Sequence, residues 1–333
     1  MYRVFAIIFS IAFASLTWAD IVWPTPSKAF AQGKPYTEFI QPTVSGKPQS
    51  GLFGDVRNNG YKFHEGIDIM PISRNRRGEP LDDVYASLDG NIVMINRVAG
   101  NSGYGRYVVM THNNCDVPIY TLYAHLAEID GDIAVGTPVK AGKRLGRMGR
   151  SASYSIGRAQ AHLHFEMGLL LSDRFDKWYR ESKRFKQKNF FGNYNGMNLV
   201  GFDALDFYEK ARNEEIDDGF KGYLQSLPVA LVVRVYTKRT PDFVKKYPNL
   251  VDNKGRDCGW DIYLTWYGLP VKFERIKNPR IGARESEVEI VKYNPNELKR
   301  KCRRLVEFNK KGDLKMRDSL KDLIKKSFHN FKI

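Results

Sequence analysis

From residue 84 onward, apolar and polar positions follow one another in short runs separated by Gly, Asn and Asp. Residues 84–87, 91–98, 106–111 and 118–125 are enriched in β-branched and aromatic side chains, and 138–139, 144–148 and 161–167 continue the series. Runs of this length bounded by turn formers predict strands, with Gly90, Gly100, Gly103, Gly105, Gly142, Gly146 and Gly149 marking the turns. There is no βαβ alternation, no glycine-rich phosphate loop and no internal repeat, so an antiparallel β domain is expected. Before it, residues 20–48 carry several prolines and no strong period, and read as a lead-in segment. After it the period lengthens. Residues 172–185 predict a helix with Phe175, Trp178 and Tyr179 on one side, and 203–212 and 217–227 predict two more, the second stopped by Pro228. Residues 229–236, 260–266, 271–276 and 287–293 then predict the strands of a second, smaller β unit. At the end, 296–304 reads as a helix, 305–316 as a hairpin turning at Lys311-Gly312, and 319–331 as a helix. The apolar stripe of that last helix (Leu320, Leu323, Ile324, Phe328, Phe331) suits docking onto the second unit better than insertion into a membrane. The expected fold class is mainly β: an antiparallel β-sheet core with a few helices and a smaller C-terminal α+β accessory unit.

One run carries unusual chemistry. In Ala161-His162-Leu163-His164-Phe165-Glu166, strand alternation puts His162, His164 and Glu166 on one face and Leu163 and Phe165 on the other. Far upstream, Phe63-His64-Glu65-Gly66-Ile67-Asp68 places His64 and Asp68 four apart, again on one face of an extended segment. Imidazole and carboxylate donors of this kind suit Zn2+. The helical His-Glu-x-x-His arrangement is excluded, because Gly66 disfavours a helix and Asp68 stands where the second His is required. Four of the six histidines (His64, His125, His162, His164) lie in apolar, strand-like surroundings, which weighs against a purely structural role. His112, ending a strand at a turn, reads as non-catalytic, and His329 as an exposed residue near the C-terminus.

Composition narrows the partners. A chain of 333 residues predicts two domains. Residues 1–19 read as a secretory signal: Arg3, an apolar run over 4–16, then Thr17-Trp18-Ala19 as the cleavage site. That run falls short of the about 20 apolar residues a membrane span needs, no cysteine follows it for lipid attachment, and no other segment is long enough. A mature chain without a transmembrane span, exported to the periplasm or cell envelope, is expected. Cys115, Cys258 and Cys302 are too few for a disulfide framework and show no Cys-x-x-Cys spacing. Either Cys258 and Cys302 pair in an oxidising compartment, or all three remain thiols. The formal net charge of +16 favours anionic polymers and membrane surfaces. Half of that excess lies in residues 296–333, where thirteen Lys and Arg face five Asp and Glu, either as a solvated face or as an anchor to anionic envelope polymers. No nucleic-acid partner is expected of an exported chain without a nucleic-acid-binding motif.

The histidine motifs, in this order, resemble the lysostaphin-type (LytM-like) zinc endopeptidases of peptidoglycan. The resemblance rests on the motif from Phe63 to Asp68, on Leu122-Tyr123-Ala124-His125-Leu126, and on His162-Leu163-His164-Phe165-Glu166. Tyr85-Ala86-Ser87-Leu88-Asp89-Gly90 and Gly136-Thr137-Pro138-Val139-Lys140-Ala141-Gly142 fit between them, and the similarity runs from about residue 51 to 168. It implies a lysostaphin-type metallopeptidase domain with trailing helices over 51–215, after the signal (1–19) and lead-in (20–50), and before a basic accessory α+β region (216–333). It implies His64, Asp68 and His164 as ligands of a catalytic Zn2+ that keeps one position for water. It further implies His125 and His162 beside the metal, one as general base and the other as donor to the oxyanion. Glu166 reads as a carboxylate that orients a ligand imidazole from behind, or as structural support, and not as a direct ligand.

The implied function is a secreted zinc metalloendopeptidase hydrolysing the peptide cross-links of bacterial peptidoglycan, its partners being the peptide stems and cross-bridges. The alternatives are a non-catalytic peptidoglycan-binding or hydrolase-activating module, and a zinc peptidase with a protein substrate. Non-catalytic modules of this type generally lack ligand residues, whereas here all five positions are filled. Two segments depart from the family pattern: the polar insert Ser73-Arg74-Asn75-Arg76-Arg77-Gly78, and the long loop 151–160, which lacks the usual Gly just before His-x-His. Both belong to the walls of a substrate groove. They leave the cleaved bond open between D-alanyl-diaminopimelate, a glycine bridge and others.

Overall fold

The computed structural model describes residues 21–310, 312–329 and 331; the expected signal segment lies outside the described residues. The first part of the chain carries β1 (Gly54–Arg57), β2 (Lys62–His64), β3 (Ile67–Ile69), β4 (Asp83–Tyr85), β5 (Gly90–Asn96), β6 (Tyr107–His112) and β7 (Ile119–Ala124). It continues with β8 (Glu128–Ile129), β9 (Pro138–Val139), β10 (Arg144–Arg147), β11 (Leu163–Leu170), helix α1 (Phe175–Glu181) and β12 (Leu199–Phe202). Helices α2 (Ala204–Arg212) and α3 (Gly219–Ser226) lead into β13 (Leu231–Tyr236), α4 (Asp242–Lys246), β14 (Val251–Asp252), β15 (Gly259–Leu264), β16 (Pro270–Arg275) and β17 (Val288–Tyr293). The hairpin β18 (Val306–Phe308) and β19 (Leu314–Met316) and helix α5 (Asp318–Ser327) complete the chain. The fold is mainly antiparallel β, as expected.

The main sheet runs β12-β11-β7-β6-β5-β9, and β3 pairs with β11 as well. β11 is the longest strand of this sheet and its organising element. Along one edge it pairs with β3 through Leu163–Phe165 and with β12 through Met167–Leu170, while β7 runs along the other. Its alternation has the expected phase. Leu163, Phe165, Met167 and Leu169 enter the main core, and on the reverse face Leu170 joins a second cluster with Tyr107, Val109, Tyr120 and Leu122. Burying each such side chain contributes about 1.5–3 kcal/mol, so the histidines of this strand stand on a rigid wall.

The lead-in is irregular in backbone but is part of the core. Ile21, Trp23, Phe30, Phe39 and Ile40 are buried, and the Trp23 and Phe30 rings stack 4.6 Å apart. Its backbone borders β3: Ile40 bridges Ile69, Gln41 N–H donates to the Asp68 carbonyl at 2.8 Å, and Met70 N–H donates to that of Phe39 at 2.9 Å. Aromatic packing at irregular spacing holds the segment, which is why no period marked it.

The second sheet, ordered β14-β16-β15-β13-β17, belongs to the C-terminal part, and the main apolar cluster continues into it through Val233, Ile262 and Phe273. Its strands fall where the pattern placed them, as does the β18–β19 hairpin. Residues 296–304, expected as a helix, form turns instead. Contacts with β1 and β2 outweigh their helix propensity: Lys301 Nζ donates to the Asn59 carbonyl at 3.1 Å, and Arg303 ion-pairs with Glu65 at 2.5 Å while lying 4.4 Å over the Phe63 ring. His329 is buried where exposure was expected, because α5 docks its stripe and carries His329 inward with Phe328 and Phe331. All three cysteines are free and half-buried, so the Cys258–Cys302 pairing is absent among the described residues. No helix among the described residues is long and apolar enough to cross a membrane.

Candidate metal centre

Ladder register brings the first two donors together. In the β3–β11 pair Asp68 lies directly opposite His164, which on its other side faces Ala124 of β7. His64 ends β2, where it is paired with Gly54 of β1. Glu65-Gly66 then turns the chain into β3, so His64 and Asp68 sit on two short strands and not on one extended face as the spacing suggested. At Gly66 a Cβ would lie 2.2 Å from the Phe165 carbonyl oxygen, a distance only glycine avoids. The turn therefore presses against β11 and delivers His64 to the same point as Asp68 and His164.

At that point the three inner atoms converge. His64 Nε2 and His164 Nδ1 each lie 3.0 Å from Asp68 Oδ1, and 3.0 Å from one another. These residues are buried and form a candidate metal-holding group. Their outer atoms are all fixed by neighbours. His64 Nδ1–H donates to the Leu52 carbonyl at 2.7 Å, which assigns the proton to Nδ1 and leaves Nε2 as the inward lone pair. His164 Nε2–H donates to Glu166 Oε1 at 2.9 Å, leaving Nδ1 inward. Glu166 is itself held by the hydroxyls of Tyr104 (2.7 Å) and Tyr120 (2.8 Å). Arg57 takes Asp68 Oδ2 while its Nε donates to the Ser50 carbonyl at 3.0 Å, so Oδ1 is the oxygen that faces the imidazoles. Two imidazole nitrogens and one carboxylate oxygen, each backed by a fixed partner, are a donor set that fits Zn2+.

The remaining two site histidines line the same space. His125 follows the end of β7 in a left-handed conformation (φ 62°), with its N–H donating to the Tyr104 carbonyl at 2.9 Å and its Nδ1–H to that of Ser151 at 2.8 Å. His162 donates from Nδ1 to the Gln160 carbonyl at 2.6 Å, and its Nε2 is 3.4 Å from Asp68 Oδ1. The two rings lie 4.8 Å apart, and His125 is 5.9 Å from His164. His112 stands apart from this cluster. Its ring nitrogens are engaged by the Asp89 carbonyl (2.9 Å) and Thr121 Oγ1 (2.8 Å), and burial pushes its pKa down to about 4. A structural histidine is what its place at a strand end suggested.

Charge in the cluster is divided among the donors. Burial would raise the Asp68 carboxyl, but the surrounding imidazoles outweigh it and hold Asp68 well below the usual carboxylate range. Burial keeps His64 below its ordinary value against the pull of Asp68, and depresses His125 further with help from its neighbouring imidazoles. His164 moves the other way: burial opposes its charge, yet the contacts with Asp68 and Glu166 hold it up at about 9. Burial and the Glu166 charge push Tyr104 and Tyr120 well above the usual phenol range, so both remain donors to that carboxylate. Sequence reasoning reached Glu166 but missed Arg57, Tyr104 and Tyr120. Arg57 precedes an Asn-Asn-Gly turn and Tyr104 sits between Gly103 and Gly105, and neither position has a period that would flag it.

A groove of about 500 Å³ opens over Asp68, His125, His162 and His164. One wall is the lead-in at Pro42–Ser50, and the other is loop 154–160 with Tyr154 61% exposed.

Residues 62–173 match the sequence model of Peptidase family M23, which bears out the resemblance read from the histidine motifs. No curated protein matches the chain. Among solved structures, the chain is similar to a zinc-containing peptidase from Vibrio cholerae at 28% identity and TM-score 0.24, covering 32% of this chain and 26% of that one. It is similar to a mutant catalytic domain of the prophage-encoded M23 protein EnpA from Enterococcus faecalis at 21% identity and TM-score 0.28, covering 39% and 80%. The catalytic domain of lysostaphin from Staphylococcus simulans matches at 20% identity and TM-score 0.29, covering 51% and 89%. The chain thus spans about a quarter of the Vibrio peptidase's length.

Proposed function

We propose, with the match of residues 62–173 to Peptidase family M23 as premise, that this chain is a secreted zinc metalloendopeptidase hydrolysing peptide cross-links of bacterial peptidoglycan. The observation that carries the reading is the convergence of His64 Nε2, Asp68 Oδ1 and His164 Nδ1, 3.0 Å from one another. These three atoms would hold Zn2+, and when bound the ion lowers the pKa of a water to roughly 7 and polarises a carbonyl.

The chain's own residues then carry the proton and the charge. His125 and His162 both keep Nδ1 tied to a backbone carbonyl, so each presents Nε2 to the groove. Of this pair, one imidazole accepts the proton of the water that attacks the scissile carbonyl, and the other donates to the carbonyl oxygen as it becomes negative. A proton carrier so placed contributes about 10²–10⁴ in rate, and a donor to the oxyanion about 10²–10³. Glu166 and the Leu52 carbonyl keep the ligand imidazoles in one tautomer and one orientation, and Arg57 does the same for Asp68. The buried wall of β11 keeps water from the back of the site.

Digestion of purified sacculi with and without a chelator, followed by mass analysis of released muropeptides, tests this function. The expected result is muropeptides opened at a peptide cross-link, lost with the chelator and restored by added zinc. A product set that the chelator leaves unchanged removes zinc from the chemistry.

A further inference from the structure

The insert at 73–78 and the loop 151–160 meet just before His162. The insert belongs to a closed hairpin. Arg74 bridges Pro80, Asn75 N–H donates to the Glu79 carbonyl at 2.9 Å, and Leu81 N–H donates to that of Ser73 at 3.1 Å. Its base is fixed by the buried Asp82, which accepts from the N–H groups of Ile72 (2.7 Å) and Ser73 (2.9 Å). From this frame two side chains reach the loop. Glu79 pairs with Arg150 (2.9 Å) and Arg158 (3.1 Å), and Arg150 also donates to the Ile156 carbonyl at 3.0 Å. Arg74 donates from Nη1 to the Arg158 carbonyl at 2.7 Å, and from Nη2 to those of Ala159 (3.4 Å) and Ala161 (3.3 Å). A guanidinium suits this task, because its donors are spread in a rigid planar fork.

The carbonyl that Arg74 leaves out is that of Gln160, and it accepts from His162 Nδ1–H at 2.6 Å. One guanidinium thus holds three of four consecutive carbonyls, and the His162 ring holds the fourth. Residues Arg158–Gln160 form a single 3-10 turn, closed by Ala161 N–H donating to the Arg158 carbonyl at 3.1 Å. The hydrogen-bond geometry of such a turn is poor, and it gains from an outside brace. Among the described residues, no other side chain reaches the three carbonyls that Arg74 holds. Where the Gln160 carbonyl sits decides both the tautomer and the aim of the His162 ring. A displacement of about 1 Å at a reacting group can cost about 10²-fold in rate. Resting on the peptidase reading above, we infer that Arg74 is a positioning residue for His162, clamping the turn at 158–161 so that Nε2 is presented to the groove.

Arg74→Ala tests this, with millimolar guanidinium chloride as the missing fork. On a soluble cross-linked muropeptide dimer, the zinc-loaded variant should show kcat about 10²-fold below the parent, with KM within about threefold and zinc content unchanged. Guanidinium should restore kcat about tenfold or more in the variant and leave the parent as it is. Loss of fold alone would behave oppositely, since guanidinium weakens a loosened chain further. The ring 15N shifts of His162, assigned with His162→Gln, read the contact without catalysis. The parent should carry the proton on Nδ1, and the variant should show mixed tautomers that guanidinium returns to one. Parental kcat in the variant, or a loss that guanidinium does not reverse, overturns the inference while leaving a peptidase. If the parent cleaves nothing, the peptidase reading fails and the ring alone decides: mixed tautomers in the variant support the clamp, and an unchanged tautomer overturns it as well.

Discussion

At His164 two hydrogen-bonded neighbours decide what a single side chain can do. Glu166 fixes the proton on Nε2, so Nδ1 is the nitrogen offered to a cation. Glu166→Gln keeps the shape but loses the carboxylate that orients and enriches this imidazole, and zinc affinity should fall about 10–100-fold. Competition with a chromophoric chelator measures this, and an unchanged affinity would show that Glu166 only supports the fold. His125 tests the opposite separation, since no donor atom of the metal-holding group belongs to it. His125→Ala should leave zinc binding intact while lowering kcat on sacculi about 10²–10⁴-fold; retained wall activity would favour a non-catalytic module. The five candidate residues, which the structure brings together, stood out in the sequence through the motifs that carry the family resemblance. Arg57 and Tyr104 did not, because what selects them is a neighbour brought near by folding: Asp68 for one and Glu166 for the other.

Elements were legible where burial on one or both faces imposes a period. β5, β6, β7 and β11, and later β13, β15, β16 and β17, overlap the expected runs, with ends shifted by up to three residues. The exceptions share a cause. The lead-in is held by irregular aromatic contacts around Trp23, residues 296–304 by long cationic side chains reaching β1 and β2, and β12 by pairing with β11 over four residues whose glycine blurs any alternation. Local pattern carries none of this. Helix α2 was legible, and the structure shows Asp203, expected as its first residue, to be its cap: it accepts from the N–H groups of Leu205 (3.0 Å) and Asp206 (3.2 Å). Burial nonetheless pushes the Asp203 carboxyl up to about 6. The folded chain then binds more protons than the unfolded one between about pH 4 and 6, so this residue's contribution is greatest below that window and is lost as pH rises through it. Asn caps helices as well as Asp does. Asp203→Asn should therefore raise stability at pH 8 by about 1–2 kcal/mol, allowing for the partial exposure of the site, with little gain at pH 4. Urea midpoints at the two pH values measure it, and a variant weaker than the parent at pH 8 would contradict this account of the cap.

For the whole molecule, the C-terminal part closes onto the element that carries the first ligand. Arg303 reaches Glu65, next to His64, and Tyr247 Oη receives the N–H of Leu170 at the far end of β11. Arg174 and Ser172 hold Asp242 of α4. The C-terminal part thus braces both the β1–β2 ribbon and the central strand, and its basic character, legible in composition, is partly spent on these contacts. How the parts join was not legible, since the joining residues are single long side chains without a pattern. What the fold accomplishes is to bring three donors from 64, 68 and 164 to one point. Equilibrium dialysis of the purified protein against zinc, beside His64→Ala and His164→Ala, tests that most directly. The parent should bind one zinc per chain and both variants should lose it. A parent that binds none, or variants that bind one as tightly, would contradict the metal centre and with it the hydrolase built on it.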